Sequence, residues 1–181
     1  MQSEVWLTWA NLLTLTRVIV LVPLAYALLN AQWMAAAALF MVGVITDIYD
    51  GKVARHLQQT SPIGGLFDHA TDAVFVTLGS GILAYLGLIN EWLPFLIPLA
   101  FVQYMLDSKA LSGVALRTSA LGRVNGIAYY VVIGAAIGAQ FLQWELLQSA
   151  VAYFAWLLVL TTVISMVDRA ITLARKGLRP S

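Results

Sequence analysis

The sequence contains no cysteine. That excludes disulfides, zinc–thiolate sites, iron–sulfur clusters and a thiol nucleophile together. Charge is scarce as well. Only 10% of the 181 residues are Asp, Glu, Lys or Arg, against about 25% in a typical soluble domain. So few polar groups cannot cover the surface of a water-soluble globule. The net charge is +1 and no basic run occurs, which argues against nucleic acid as a partner. Neither a collagen repeat nor the composition of a disordered chain is present. No internal repeat is found either, which counts against a secondary transporter built from inverted repeats.

What is present is apolar. Hydrophobic residues make up 61% of the chain, and the mean hydropathy is +0.84. A bilayer core of about 30 Å needs about 20 apolar residues per helix, so the chain has room for six crossings. The expectation is an all-α, polytopic membrane protein with one domain over residues 1–181. Hydropathy marks six transmembrane helices at Leu12–Leu29, Trp33–Leu57, Gly64–Ile89, Trp92–Leu111, Gly122–Leu142 and Leu146–Leu173. Ahead of them, Ser3-Glu4-Val5-Trp6-Leu7-Thr8-Trp9 reads as a short N-terminal interfacial helix, because Trp and Glu suit the headgroup level. No basic stretch and no small-residue cleavage site mark a secretory signal. The connections near Asn30–Gln32, Asn90–Glu91 and Gln143–Glu145 are short, which favours antiparallel neighbours.

Basic residues set the orientation. With both termini on one side, all ten Lys and Arg fall on that side, and the opposite connections hold only Glu91 and Glu145. The positive-inside rule makes the basic side cytoplasmic.

Four of the nine acidic residues cluster. Asp47 and Asp50 are spaced i, i+3, and Asp68 and Asp72 are spaced i, i+4, so each pair shares a helix face. Between the pairs, Ser61 suits an N-cap and Pro62 a first helical residue. A hairpin there brings both acidic faces together at the cytoplasmic end. A carboxylate in hydrocarbon costs about 2.5–3.5 kcal/mol even on a lenient scale, and four together repel. Protonation or divalent cations resolve this. The spacing on facing helices matches cations, and oxygen donors without cysteine point to Mg²⁺ or Mn²⁺, with two ions suited to in-line phosphoryl displacement. Gly51, Ala54 and Gly64 keep the acidic face uncrowded, either for helix packing or for close approach of a phosphorylated ligand. His69 lies off the acidic face and serves packing or supports a neighbouring acid.

Together, Asp47, Asp50, Gly51, Ala54, Arg55, Gly64, Asp68 and Asp72 match the pattern D-x2-D-G-x2-A-R-x8-G-x3-D-x3-D. The chain thereby resembles the CDP-alcohol phosphotransferase (CDP-alcohol phosphatidyltransferase) family, as do its six-span hydropathy and the Asn11-Leu12-Leu13-Thr14-Leu15-Thr16-Arg17 opening. The resemblance implies a six-helix homodimeric membrane enzyme of phospholipid synthesis. Such an enzyme transfers a substituted phosphate from a CDP-linked lipid or alcohol donor to an alcohol acceptor and releases CMP. It implies Asp47, Asp50 and Asp68 as metal ligands, and Asp72 as general base and further ligand. Gly51, Ala54, Arg55 and Gly64 would line the CDP site, with Thr14 and Arg17 approaching the nucleotide. For a prokaryotic chain the place would be the cell or inner membrane, with the site at the cytoplasmic face.

Substrate choice is divided. The short chain resembles members that use CDP-diacylglycerol, the expected donor, whereas Asp50-Gly51-Lys52 and His69 look more like the choline/ethanolamine branch with a diacylglycerol acceptor. Lys109, Arg117, Arg123 and Asn125 form a second polar group at the cytoplasmic level. It serves either orientation or a phosphorylated acceptor. An intramembrane aspartyl protease would need a Gly-x-Gly-Asp, which is absent. An ion or metal transporter would place its acids at mid-membrane.

Overall fold

In the computed structural model, which describes residues 9–57, 62–107 and 120–177, the described chain is entirely helix and turn. The helices are α1 (Trp9–Leu29), α2 (Trp33–His56), α3 (Pro62–Tyr85), α4 (Trp92–Asp107), α5 (Ala120–Phe141) and α6 (Glu145–Gly177). A helix overlies each expected span, and residues 108–111 of the fourth lie outside the described residues. The third stops at Tyr85 rather than Ile89, and α6 continues to Gly177. Pro62 opens α3 as expected. Ser61 and the proposed interfacial segment before Trp9 lie outside the described residues.

By length and composition, α1 over Leu12–Leu29, α2 over Trp33–Asp50, α5 over Ala120–Phe141 and α6 over Glu145–Thr172 can cross a membrane. Apolar α4 has only 16 residues. In α3, Asp68, His69 and Asp72 dilute the apolar character of a 24-residue helix. Val22, Met34 and Tyr153 are each more than 70% exposed on the outside of the bundle. Such an apolar exterior suits lipid rather than water.

The helices form a ring in the order α1, α2, α5, α6, α4, α3, closing back on α1. One further contact, α3 against α5, crosses the ring and divides it into two halves. Leu24, Leu28, Leu83, Leu93, Val132, Ile133 and Ile137 fill the interior. Nearer the acids, Phe40, Phe75 and Tyr130 meet with ring centroids 5.8–6.3 Å apart. These spacings are favourable for aromatic pairs.

The three short connections share one device. Residues Ala31, Gly87 and Gln143 take positive φ after α1, α3 and α5. In each case the next amide donates five residues back, as in Gln32 N to Ala27 O at 2.8 Å, Leu88 N to Leu83 O at 2.9 Å and Trp144 N to Ala139 O at 3.0 Å. This left-handed cap satisfies carbonyls that a helix end leaves open. Asn90 Oδ1 then accepts the Leu93 amide at 3.0 Å and caps the start of α4.

Two glycines make room for the aromatic group. A Cβ at Gly43 would lie 2.6 Å from the buried Phe75 ring, and one at Gly134 would lie 2.8 Å from Phe40. At Gly138 a Cβ would meet nothing within 4 Å. Gly43→Ala should therefore cost about 1–3 kcal/mol through overpacking. Gly138→Ala should be neutral or gain up to about 1 kcal/mol through helix propensity. Thermal unfolding in detergent separates the two; equal midpoints would contradict a rigid aromatic group.

Candidate active site

The α2–α3 hairpin places Asp47 and Asp50 opposite Asp68 and Asp72, because each pair sits one turn apart on facing helices. Oxygens of Asp47, Asp50 and Asp68 lie within 4.8 Å of one another. Into this group reaches Arg17 from α1, fully buried at 0% exposure. Its Nη2 lies 2.9 Å from Asp47 Oδ1, 2.6 Å from Asp50 Oδ2 and 3.3 Å from Asp68 Oδ1. Its Nη1 pairs with Asp72 Oδ1. Buried Thr14, one turn earlier on α1, donates its hydroxyl to Asp50 Oδ2 at 3.1 Å. Asp50 is the most enclosed of the four acids, with 4% of its side chain exposed against 28–30% for the other three.

Asp72 is not part of the close triad. It accepts from Arg17 and, at 3.0 Å, from the Tyr130 hydroxyl of α5. Tyr130 also stacks on Phe75, so its hydroxyl is held in place by ring packing. If all four acids are ionised, the single guanidinium leaves the cluster three charges short of neutrality. The donor set suits a hard divalent cation: carboxylate oxygens only, converging at close range. That a cationic nitrogen stands among the same oxygens shows what charge they attract.

Beyond the α3–α5 contact, a cleft of about 330 Å³ opens between α3, α4, α5 and α6, and Asp47 and Asp72 form part of its wall. Most of its lining is apolar. Its polar members include His69, Asn125, Arg123 and Arg169. Asn125 is 3% exposed. Arg169 lies 4.6 Å from the Tyr104 ring centroid, and the His69 ring stacks on the same Tyr104 with centroids 6.1 Å apart. These contacts join α3, α4 and α6 across the cleft.

A sequence model described as CDP-alcohol phosphatidyltransferase matches residues 7–173. The chain belongs to the CDP-alcohol phosphatidyltransferase family. Among curated relatives of this family, a CDP-diacylglycerol--glycerol-3-phosphate 3-phosphatidyltransferase of Pseudomonas fluorescens is 35% identical over 71 residues, 38% of this chain and 36% of that protein. Cholinephosphotransferase 1 of Gallus gallus is 44% identical over 68 residues, 36% of this chain and 20% of the relative. A putative cardiolipin synthase of Mycobacterium tuberculosis is 30% identical over 89 residues, 48% of this chain and 42% of the relative. The chain thus matches less than half the length of each of these relatives. No solved structure matches it.

Against the expectations for a member of this family, the four acids and Thr14 do converge. Arg17 stands among the acids themselves. Gly64 lies in the first turn of α3, and Gly51, Ala54 and Arg55 lie in the last two turns of α2, where the side-chain environment is outside the described set. Lys109 and Arg117 lie outside the described residues. Arg123 and Asn125 line the cleft. Sequence reasoning passed over Tyr130, Tyr104 and Arg169. For Arg169 a signal existed, since a charged residue in a long apolar helix asks for a partner.

Manganese(II) should raise the thermal midpoint of the wild-type protein, by about 2.7 kcal/mol of stabilisation at one hundred times the dissociation constant. Asp50→Asn should lose most of that gain. An equal response in both proteins would remove Asp50 from the ligand set.

Proposed function

We propose that the protein is a metal-dependent phospholipid-synthesis enzyme that transfers a substituted phosphate from CDP-diacylglycerol to an alcohol, releasing CMP. The observation that carries this reading is the shared wall: Asp72 belongs both to the acidic cluster and to the cleft. A donor held at the acids and an acceptor in the cleft would meet there.

Asp47, Asp50 and Asp68, with Asp72 beside them, would hold two Mg²⁺ or Mn²⁺ ions, whose charge would neutralise the donor phosphates. Gly51, Ala54, Arg55 and Gly64 would admit the CDP portion, with Thr14 fixing Asp50 through its hydroxyl. Asp72 would take the proton of the acceptor hydroxyl as the new oxygen–phosphorus bond forms and the bond to CMP breaks. Tyr130 holds Asp72 Oδ1 from α5 and so orients the second oxygen. The mainly apolar lining of the cleft would keep water from competing with the alcohol. Arg123, Asn125 and Arg169 would receive the polar end of the acceptor, together with Lys109 and Arg117.

Two cleft arginines favour a phosphorylated acceptor and hence the CDP-diacylglycerol donor. The identity to a cholinephosphotransferase and the Asp50-Gly51-Lys52 and His69 residues favour the second reading, a CDP-amino-alcohol donor with a diacylglycerol acceptor. An ion or metal transporter ranks below both. We further read the chain as one domain with six membrane spans and an interfacial N-terminal helix. The active site would face the cytoplasm, and two copies would form a homodimer in the cell membrane, or the inner membrane of a prokaryote that has two.

CMP release from purified protein, crossing CDP-diacylglycerol and CDP-choline with a panel of alcohols, tests the reading. Activity should vanish in excess chelator. Asp72→Asn should abolish turnover and leave donor binding largely intact, because asparagine keeps the shape without accepting the proton. Arg123→Ala or Arg169→Ala should raise the acceptor KM about tenfold or more, the loss of one charge-assisted hydrogen bond. An unchanged KM with activity on CDP-choline and diacylglycerol would decide for the second reading.

The chain has no native cysteine, so single Cys probes at Gln32 and Gln59 report topology directly. They should label from opposite membrane faces; labelling from one face would overturn the six-span count.

A further inference from the structure

Among the described residues, Arg17 is a charged side chain with no exposed surface, and its surroundings are unusual for a nucleotide contact. Every polar partner it has among the described residues is an acid of the cluster. Its Nε has no hydrogen-bond partner. Nothing but the carboxylates therefore compensates for removing this guanidinium from water. Its Nη2 contacts the same three carboxylates, of Asp47, Asp50 and Asp68, that converge as a candidate cation site.

We propose that Arg17 is a built-in counter-ion that holds the carboxylate triad together before metal binds and leaves the triad when a divalent cation takes those oxygens. The inference rests on the metal reading of the site given above. A divalent Mg²⁺ takes oxygen ligands at about 2.0–2.1 Å, so an ion drawn in among these carboxylates competes for them with the guanidinium nitrogen that lies 2.6–3.3 Å from their oxygens. The fork geometry gives Arg17 a way out. Nη1 has its own acid, Asp72, so Nη2 can withdraw without stranding an unpaired charge in the bundle. Arg17 is then a positioning residue with two consequences of opposite sign. It stabilises the metal-free protein, and it weakens metal binding by competing for the ligands.

The test compares wild type, Arg17→Gln and Asp50→Asn as full-length protein in detergent, stripped of metal by chelator. Binding of Mn²⁺ is read from the loss of the free-ion electron paramagnetic resonance signal, and stability from thermal unfolding. Arg17→Gln should bind Mn²⁺ about tenfold or more tightly than wild type, the equivalent of releasing one charge-assisted contact. Its metal-free midpoint should fall below that of wild type, and Mn²⁺ should restore it. If Arg17→Gln fails to fold without metal but folds with Mn²⁺, the counter-ion role is supported in the same way. If it folds under neither condition, Arg17→Lys, which keeps one charge and loses the fork, carries the affinity comparison and should also bind Mn²⁺ more tightly. Wild-type binding that is unchanged or weakened in the Arg17 variants overturns the inference and leaves the metal site standing. Absence of Mn²⁺ binding in wild type, with Asp50→Asn no different, overturns the metal site and the inference with it.

Discussion

Four carboxylates at one end of an apolar bundle must be neutralised, and the arrangement around them follows from that requirement. A single buried acid in hydrocarbon costs several kcal/mol, and neighbouring like charges add to the cost. The bundle answers with a guanidinium from α1 and hydroxyls from Thr14 and Tyr130, drawn from α1 and α5 to acids on α2 and α3. Four of the six helices are thus tied to one electrostatic centre. The remaining charge deficit is what suits the cluster to a cation rather than to a finished ion-pair network.

The α3–α5 contact gives this centre its second face. One half of the ring, with α1 and α2, encloses the acids; the other, with α4 and α6, encloses the cleft. Helix α3 supplies residues to both, and Asp72 is where they meet. In the proposed reaction this divides labour by helix. The donor half carries a fixed pattern of acids and small residues, and the acceptor half carries arginines and aromatics. Relatives with different names among phosphatidyltransferases and cholinephosphotransferases are compatible with such a division.

The sequence made the helices and the acids legible because both are local signals. Apolar runs parted by short polar connections and a three- and four-residue spacing of Asp need no tertiary information. The short connections were visible in Asn, Gln and Glu between the runs. Their geometry was not: two of the three left-handed caps fall on Ala31 and Gln143, residues that do not advertise positive φ as Gly87 does. The place of Arg17 was hidden for a different reason. It reaches acids 30 to 55 positions away in sequence, and only the packing of α1 against α2 and α3 decides that. Tyr130 looked like one more aromatic in an apolar helix. Its role depends on a ring stack with Phe75 from another helix, which no periodicity reveals.

The group of Phe40, Phe75 and Tyr130 has an electrical meaning. Phe75 follows Asp72 by less than one turn of α3, and Phe40 precedes Asp47 by about two turns of α2, so the rings lie directly beneath the acids. Leu24, Leu28, Leu83, Ile133 and Ile137 continue the seal behind them, each at most 1% exposed. A cation attracted to the carboxylates meets, beyond them, a layer of apolar side chains that raises the cost of further passage. A dense patch of negative charge can therefore sit at one end of the bundle with an apolar layer behind it. In the proposed transferase, that insulation would keep a charged site from acting as a conduit for ions.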